Sequence, residues 1–297
     1  MFGVIPALEL VMPLRRDPGR PERRASFGHE LVLWGLVPMQ FALIAGLWAR
    51  ASFGAPPVEL LGDAVSVGMC SALYGLNVGH ELGHRGGRAA RWVAPALMGS
   101  SLYAHFWVEH NRGHHVNVGT PADPATARRG EWLYTFWIRS TVGGLLSAYR
   151  LDRRWVLTAL IAQALAWVTV LVVLGPVPAL TWIGASAVGI LLLETVNYVE
   201  HYGLTRQQRP DGSYERIQPW HSWNAEQTAG AMLLFNLTRH ADHHAHPTRA
   251  YHTLRRFADG PQLPAGYTSM ILVALVPPLF HALVHRSLDR LQQPVDA

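Results

Sequence analysis

Nine histidines fall into four tight clusters: His80 and His84 in HELGH, His110, His114 and His115 in EHNRGHH, His201 in NYVEHYG, and His240, His243 and His244 in RHADHH. Imidazole is the commonest metal ligand among the side chains. Residues three or four apart share one face of a helix, so three of the clusters each aim several rings at one place, and His201 adds a single one. Nine imidazoles exceed a single shell of about four to six ligands, and the spacing therefore calls for two metals. Imidazole suits zinc, copper, iron and nickel, so the ligand type alone does not name the metal.

Carboxylates accompany the clusters. Glu81, Glu109, Glu200 and Asp242 each lie within two residues of a clustered histidine, where they fit the role of outer support or of a bridge between metals. Glu194 and Asn197 stand at i and i+3 inside an apolar run, with His201 at i+7 from Glu194. An ionisable residue inside a membrane span is expensive and usually functional. Glu194, Asn197 and Glu200 are accordingly the candidate catalytic groups.

HELGH also matches the HExxH pattern of zinc proteases, with Glu81 as general base. That chemistry needs one further ligand and leaves the other clusters unexplained. A metal transporter would string its ligands along a path through the bilayer, whereas these gather at one face. His29, His105, His221, His246, His252, His281 and His285 stand outside the clusters and read as structural.

The elements that must position the clusters are membrane helices. Hydrophobic residues make up 49% of the 297 residues and charged residues 15%, well short of the roughly 25% charged in soluble domains. Apolar runs at 30–49, 57–79, 155–174 and 179–199 each approach the ~20 residues that a bilayer requires. A shorter run at 91–108 reads as re-entrant. The segment 131–150, with Trp132, Trp137, Arg139 and Arg150, reads as an interfacial helix. The run at 268–284 contains Pro277 and Pro278 and reads as a cap. The expected fold class is all-α: a polytopic membrane helical bundle of about four principal spans plus re-entrant and interfacial helices, carrying a cytoplasmic histidine-rich di-metal cap. One domain covers 1–297, its first 28 residues forming a cytoplasmic segment, and no internal repeat is visible.

Arginines crowd the N-terminus and the stretches 85–91, 128–129, 150–154 and 205–209, while the loops 51–57 and 175–178 carry no basic residue. Positive charge stays inside. The termini and every histidine cluster are thus expected on the cytoplasmic side of a bacterial-type inner (plasma) membrane. The net charge of +5 comes without any nucleic-acid motif, which favours membrane lipid and an acidic protein as partners over nucleic acid. Arg85, Arg88, Arg128, Arg129, Arg239, Arg255 and Arg256 offer a surface for either. Cys70 is the single cysteine, which excludes an intrachain disulfide and a Cys-ligated zinc or iron–sulfur site.

HELGHR, EHNRGHH, NYVEHYGL and RHADHHA together resemble the four signature motifs of the membrane alkane hydroxylases (alkane 1-monooxygenases), within the fatty-acid desaturase and hydroxylase superfamily. NYVEHYGL is the most specific, marking the alkane and xylene monooxygenase branch, and the resemblance covers roughly residues 57–255. It implies a non-haem di-iron centre, with the nine clustered histidines as iron ligands and O2 as cosubstrate. It further implies electrons from a rubredoxin or similar iron–sulfur donor with its reductase. The implied reaction is hydroxylation of a terminal C–H of a medium-chain alkane to a primary alcohol. A fatty-acyl desaturase or decarboxylase, and an alkyl-aromatic methyl hydroxylase, are the alternatives on the same site. Arg85 replaces the family's usual lysine, LTRHADHH replaces LQRHSDHH, and about 80 residues precede the first box where the family has a further hairpin.

Overall fold

The computed structural model describes residues 3–15, 27–257 and 260–291. Arg16, Arg20, Arg23 and Arg24 of the basic N-terminal segment, and the last six residues, lie outside them. In chain order the helices are α1 (Val4–Val11), α2 (Phe27–Ser52), α3 (Pro57–Ser71), α4 (Val78–Gly83), α5 (Arg88–Ser100), α6 (Phe106–Glu109), α7 (His115–Asn117), α8 (Leu133–Leu151), α9 (Arg153–Leu174), α10 (Pro176–His201), α11 (Thr228–Leu233), α12 (His240–Ala245), α13 (Tyr267–Ala274) and α14 (Pro277–Leu291). Among the described residues, β pairing is confined to isolated bridges, and the protein is all-α.

Local chemistry sets the boundaries. Pro57 opens α3 at a position where its missing N–H costs nothing. Asp152 caps α9 by accepting from the Trp155 N–H at 3.2 Å. Gly175 ends α9 with φ at 95°, a left-handed backbone that a side chain would strain, and Pro176 begins the next helix.

Among the described residues, three helices, α2, α9 and α10, are long and apolar enough to cross a membrane. The expected second span differs: α3 and α4 are separated by a π-helical turn, Ala72–Asn77. The apolar run at 91–108 divides into α5 and α6, because Leu102 adopts a left-handed φ of 56° between them. The run at 268–284 breaks before Pro277, which cannot continue a helix from the preceding turn. Most of the apolar surface of α9 stays uncovered, with Leu165 62% and Val172 76% exposed. Lipid satisfies such a surface.

The chain divides into two compact units. The one formed by residues 25–113 and 142–193 is pinned by a polar clasp. Gln40 Nε2 on α2 donates to Ser71 Oγ at 3.0 Å and to Ser100 Oγ at 2.9 Å, and Trp182 Nε1 donates to the Ser100 carbonyl at 2.7 Å. Interhelical side-chain bonds of this kind hold membrane helices in register. Leu76, Met98, Tyr103, Phe106 and Leu193 form one apolar core, and Ile44, Val170, Ala179 and Trp182 another.

The other unit comprises 1–24, 114–141 and 194–297. Its core is aromatic: Trp223, Tyr198, Tyr202, Tyr267, Phe136 and Phe280 are fully buried. Trp223 Nε1 donates to the Tyr202 carbonyl at 2.9 Å, and Tyr267 Oη donates to the Trp223 carbonyl at 2.6 Å. Arg206 fastens the polar stretch after α10, bonding the carbonyls of Glu215 and Val116.

Candidate metal centre

His114, His201, His240 and His244 gather in the second of these units, with one ring nitrogen from each within 4.8 Å of all the others. Their Nε2 atoms form a chain of close approaches: 3.0 Å from His240 to His201, 2.9 Å from His244 to His240, and 3.2 Å from His114 to His244. Imidazole nitrogens bonded to one metal at about 2.1 Å and at right angles lie about 3.0 Å apart. The tetrad fits a metal ion on that measure. All four rings are buried. Burial, followed by the neighbouring imidazoles His240, His115, His114 and His201, holds His244 well below its ordinary pKa, which keeps it in the neutral form that ligates metal.

The local sequence explains the aim. His240 and His244 are one turn apart on α12, and His201 is the last residue of α10. Arg239 sets the start of α12: its guanidinium donates to Glu226 Oε2 at 2.9 Å and to the Leu254 carbonyl at 2.8 Å. Asp242 lies on the same short helix and is committed elsewhere. It takes hydrogen bonds from Arg249, from His246 Nδ1 at 3.0 Å and from the Arg255 N–H at 2.7 Å. Asp242 therefore fastens the following loop. His115 and His243 stand beside the tetrad, their ring centroids 5.0 Å apart.

Outer support comes from a residue that spacing did not select. Asp123 Oδ2 takes the His114 Nδ1 hydrogen bond at 2.9 Å and the Thr126 hydroxyl at 2.6 Å. Burial alone would raise the Asp123 carboxyl. The His114 ring and the hydrogen bonds from His114 and Thr126 outweigh it and hold the group below the usual carboxylate value. The only sequence signal was the run PADPAT, a turn-forming carboxylate within ten residues of a histidine box.

In the other unit, His80 and His84 at the end of α4 meet His110. His84 Nε2 lies 3.3 Å from His80 Nε2 and 3.1 Å from His110 Nε2, the same spacing as in the tetrad. Glu81 pairs with Arg85 at 2.8 Å, and Arg85 reaches Glu30 on α2 at 2.5 Å. That ion pair occupies the carboxylate which a protease would need as a base. Glu109 lies under Gly113 in the π-helical turn His110–His114. A Cβ at Gly113 would fall 2.6 Å from Glu109 Oε1 and 3.0 Å from Ser147 Oγ, so a side chain at this position of EHNRGHH would push those two groups aside.

The three candidate catalytic groups divide. Glu200 is buried, with Oε2 at 3.4 Å from His240 Nε2. Asn197 Nδ2 donates to Glu194 Oε2 at 3.3 Å, and Glu194 sits about 10 Å further along the helix from His201. Two arginines expected on a docking surface are not free for it. Arg239 is 2% exposed in its pair with Glu226, and Arg85 is held between two glutamates. Arg88, Arg128, Arg129, Arg255 and Arg256 are exposed. His281 and His285 bond tyrosines, His246 bonds Asp242, and His221 bonds Glu215.

Comparison with known proteins gives a consistent relation. The fatty acid desaturase family model matches residues 55–274. The alkane 1-monooxygenase of Ectopseudomonas oleovorans is 40% identical over 95% of this chain and 75% of its own length. Alkane 1-monooxygenase 1 of Alcanivorax borkumensis is 39% identical over 95% and 74% respectively. The xylene/toluene monooxygenase hydroxylase component XylM of Pseudomonas putida is 30% identical over 83% and 71%.

Proposed function

This chain belongs to the alkane 1-monooxygenase family, within the wider fatty acid desaturase family, and from that premise we propose a di-iron centre held by its nine clustered histidines. The protein is an integral membrane oxidoreductase that hydroxylates the terminal carbon of an alkane. The finer assignments are ours: a medium-chain substrate, O2 as cosubstrate, and electrons from a rubredoxin or similar iron–sulfur protein with its reductase. We place it in a bacterial-type inner membrane, with the histidines and both termini on the cytoplasmic side.

The observation that carries the reading is the buried tetrad His114, His201, His240 and His244, with adjacent Nε2 atoms 2.9 to 3.2 Å apart. His80, His84 and His110 offer a second triad with the same spacing, and His115 and His243 complete the nine. Iron, when bound, supplies O2 activation and the oxidising power for an unactivated C–H bond. The overall balance consumes alkane, O2, two electrons and two protons and releases alcohol and water.

The protein's own residues position and exclude. Asp123 fixes the His114 tautomer so that Nε2 faces inward. Arg239 and Glu226 hold α12 in place. Glu200, against His240, is the carboxylate proposed to act at the metals, while Glu194 and Asn197 line the approach along α10. Burial of the tetrad keeps water away from the reacting carbon.

The test pairs metal analysis with product analysis. Purified protein should hold two irons per chain, and cells co-expressing a rubredoxin system should convert octane to 1-octanol. One zinc in place of iron, or an alkene from octane or a fatty acid, would overturn the reading. Benzylic alcohol from xylene with no alkanol would move it to the xylene branch.

A further inference from the structure

Within the unit formed by residues 25–113 and 142–193, small side chains from two helices line one groove. Ala159, Ala162 and Ala166 stand at i, i+3 and i+7 on α9 and so share a face. Pro95, Ala96 and Gly99 on α5 form the opposite wall. These side chains are too small to fill the space between the helices, and a cavity of about 370 Å3 remains. Trp48 and Trp182 line its deep end, edge to face with centroids 5.1 Å apart. The polar groups along it are committed: Gln163 Oε1 accepts the Ala104 N–H at 3.0 Å, and Ser100 Oγ donates to the Leu97 carbonyl at 2.6 Å. Ala96, Ala162 and Ala166 are exposed, so the groove opens sideways, on a helix long and apolar enough to cross a membrane.

The other end is basic. Past Pro95, Trp155 and Ala159 the groove continues to Arg88, Arg91 and Trp92 at the start of α5. Arg50, Arg85 and Arg112 in this unit each pair with a carboxylate. Arg88 and Arg91 are exposed and pair with no carboxylate among the described residues. Trp92, beside Arg91, is 80% exposed, and an exposed indole at the end of a membrane helix sits at the level of the head groups. From Trp155 to Ala166 the groove follows about 16 Å of α9, against about 15 Å for the hydrocarbon of one leaflet.

We propose that this groove is a binding site for one anionic phospholipid. Its phosphate sits between Arg88 and Arg91, and one acyl chain runs between α5 and α9 toward Trp48 and Trp182. Basic pockets between membrane helices hold acidic head groups in this way. An alkane would fill the apolar length and leave both cations without a partner, and a free phosphate would do the reverse. An acidic lipid answers both ends. Its chain packs on Trp155, whose ring meets that of Trp107 with centroids 5.1 Å apart. Trp107 belongs to α6, which runs directly into His110, so the lipid braces the helix that presents one histidine of the second triad. The site needs no iron and stands apart from the proposed reaction.

The test titrates the purified protein, in detergent, with phosphatidylglycerol or phosphatidylcholine of identical acyl chains and counts bound lipid by native mass spectrometry. Wild type should hold one phosphatidylglycerol in preference to phosphatidylcholine. Arg88→Gln combined with Arg91→Gln should bind it roughly 30-fold more weakly. Ala162→Trp, which fills the groove and leaves the charges in place, should weaken the binding of both lipids. Arg209→Gln, in the polar stretch after α10, should bind as wild type does. Phosphatidylglycerol should also raise the melting temperature of wild type and not that of the double arginine variant. Equal binding of the two lipids by wild type, or wild-type affinity in the double arginine variant or in Ala162→Trp, would overturn the site. Displacement of phosphatidylglycerol by octane would overturn it too, and would give the groove to the substrate.

Discussion

Asp123 Oδ2 sits 2.9 Å from Nδ1 of His114, and that contact turns the opposite nitrogen of the ring toward His244. A carboxylate nine residues away thus decides which nitrogen of His114 would face the proposed metal. Removing such an outer partner costs about 10–100-fold in metal affinity. Asp123→Ala should lose iron by that factor in a competitive chelator titration, and Thr126→Ala by less. Wild-type affinity in Asp123→Ala would remove the carboxylate from the site.

Gly113 has Glu109 Oε1 and Ser147 Oγ where a Cβ would go. Gly113→Ala forces a shift in packed surroundings, at a cost of about 1–3 kcal/mol. Gly62 in the middle of α3 has nothing within 4 Å of its missing Cβ, and there alanine should gain about 0.4–1 kcal/mol. Denaturant unfolding in detergent micelles checks both, and equal effects at the two positions would contradict the account.

Arg239 and Glu226 are an almost fully buried ion pair. Taking away one partner strands the other charge, at about 3–5 kcal/mol. Arg239→Met should therefore unfold far more easily than wild type, and adding Glu226→Leu should restore part of the loss. A double variant weaker than the single one would show that the pair is not the main holder of α12.

His285 gives a pH dependence. Burial, Arg129 and His281 lower its pKa in the folded chain, so the unfolded chain binds a proton first, near pH 6.5. The native state is at full strength above that pH and weakens as pH falls through the lower folded value. His285→Asn should flatten this part of the profile of unfolding midpoint against pH. An unchanged slope would mean that other groups carry it.

The gathering of the histidines was legible because imidazole spacing is a local property. Positions 80 and 84, or 240 and 244, share a helix face whatever the rest of the chain does. Asp123 was not legible, since its role depends on a loop folding back onto His114. Arg239 reads as surface charge until Glu226, 13 residues earlier, is seen beneath it. The division of the second span was hidden for a similar reason, because nothing in ALYGLN distinguishes a π-helical turn from an α-helical one.

That turn, Ala72–Asn77, directly precedes HELGH. A π turn holds one residue more than an α turn. Deleting any one of its residues would let the helix heal, with its backbone bonds intact. The wider turn already absorbs its extra residue, so the healed helix would carry His80 and His84 on the same face as before, toward His110. Chain length is therefore less tightly constrained here than in an unbroken helix, where losing one residue turns everything beyond it by about 100°. Substitutions in ALYGLN are graded in their effect, and a single-codon deletion is tolerated in register, while a single-codon insertion would exceed that slack and turn His80 and His84 together.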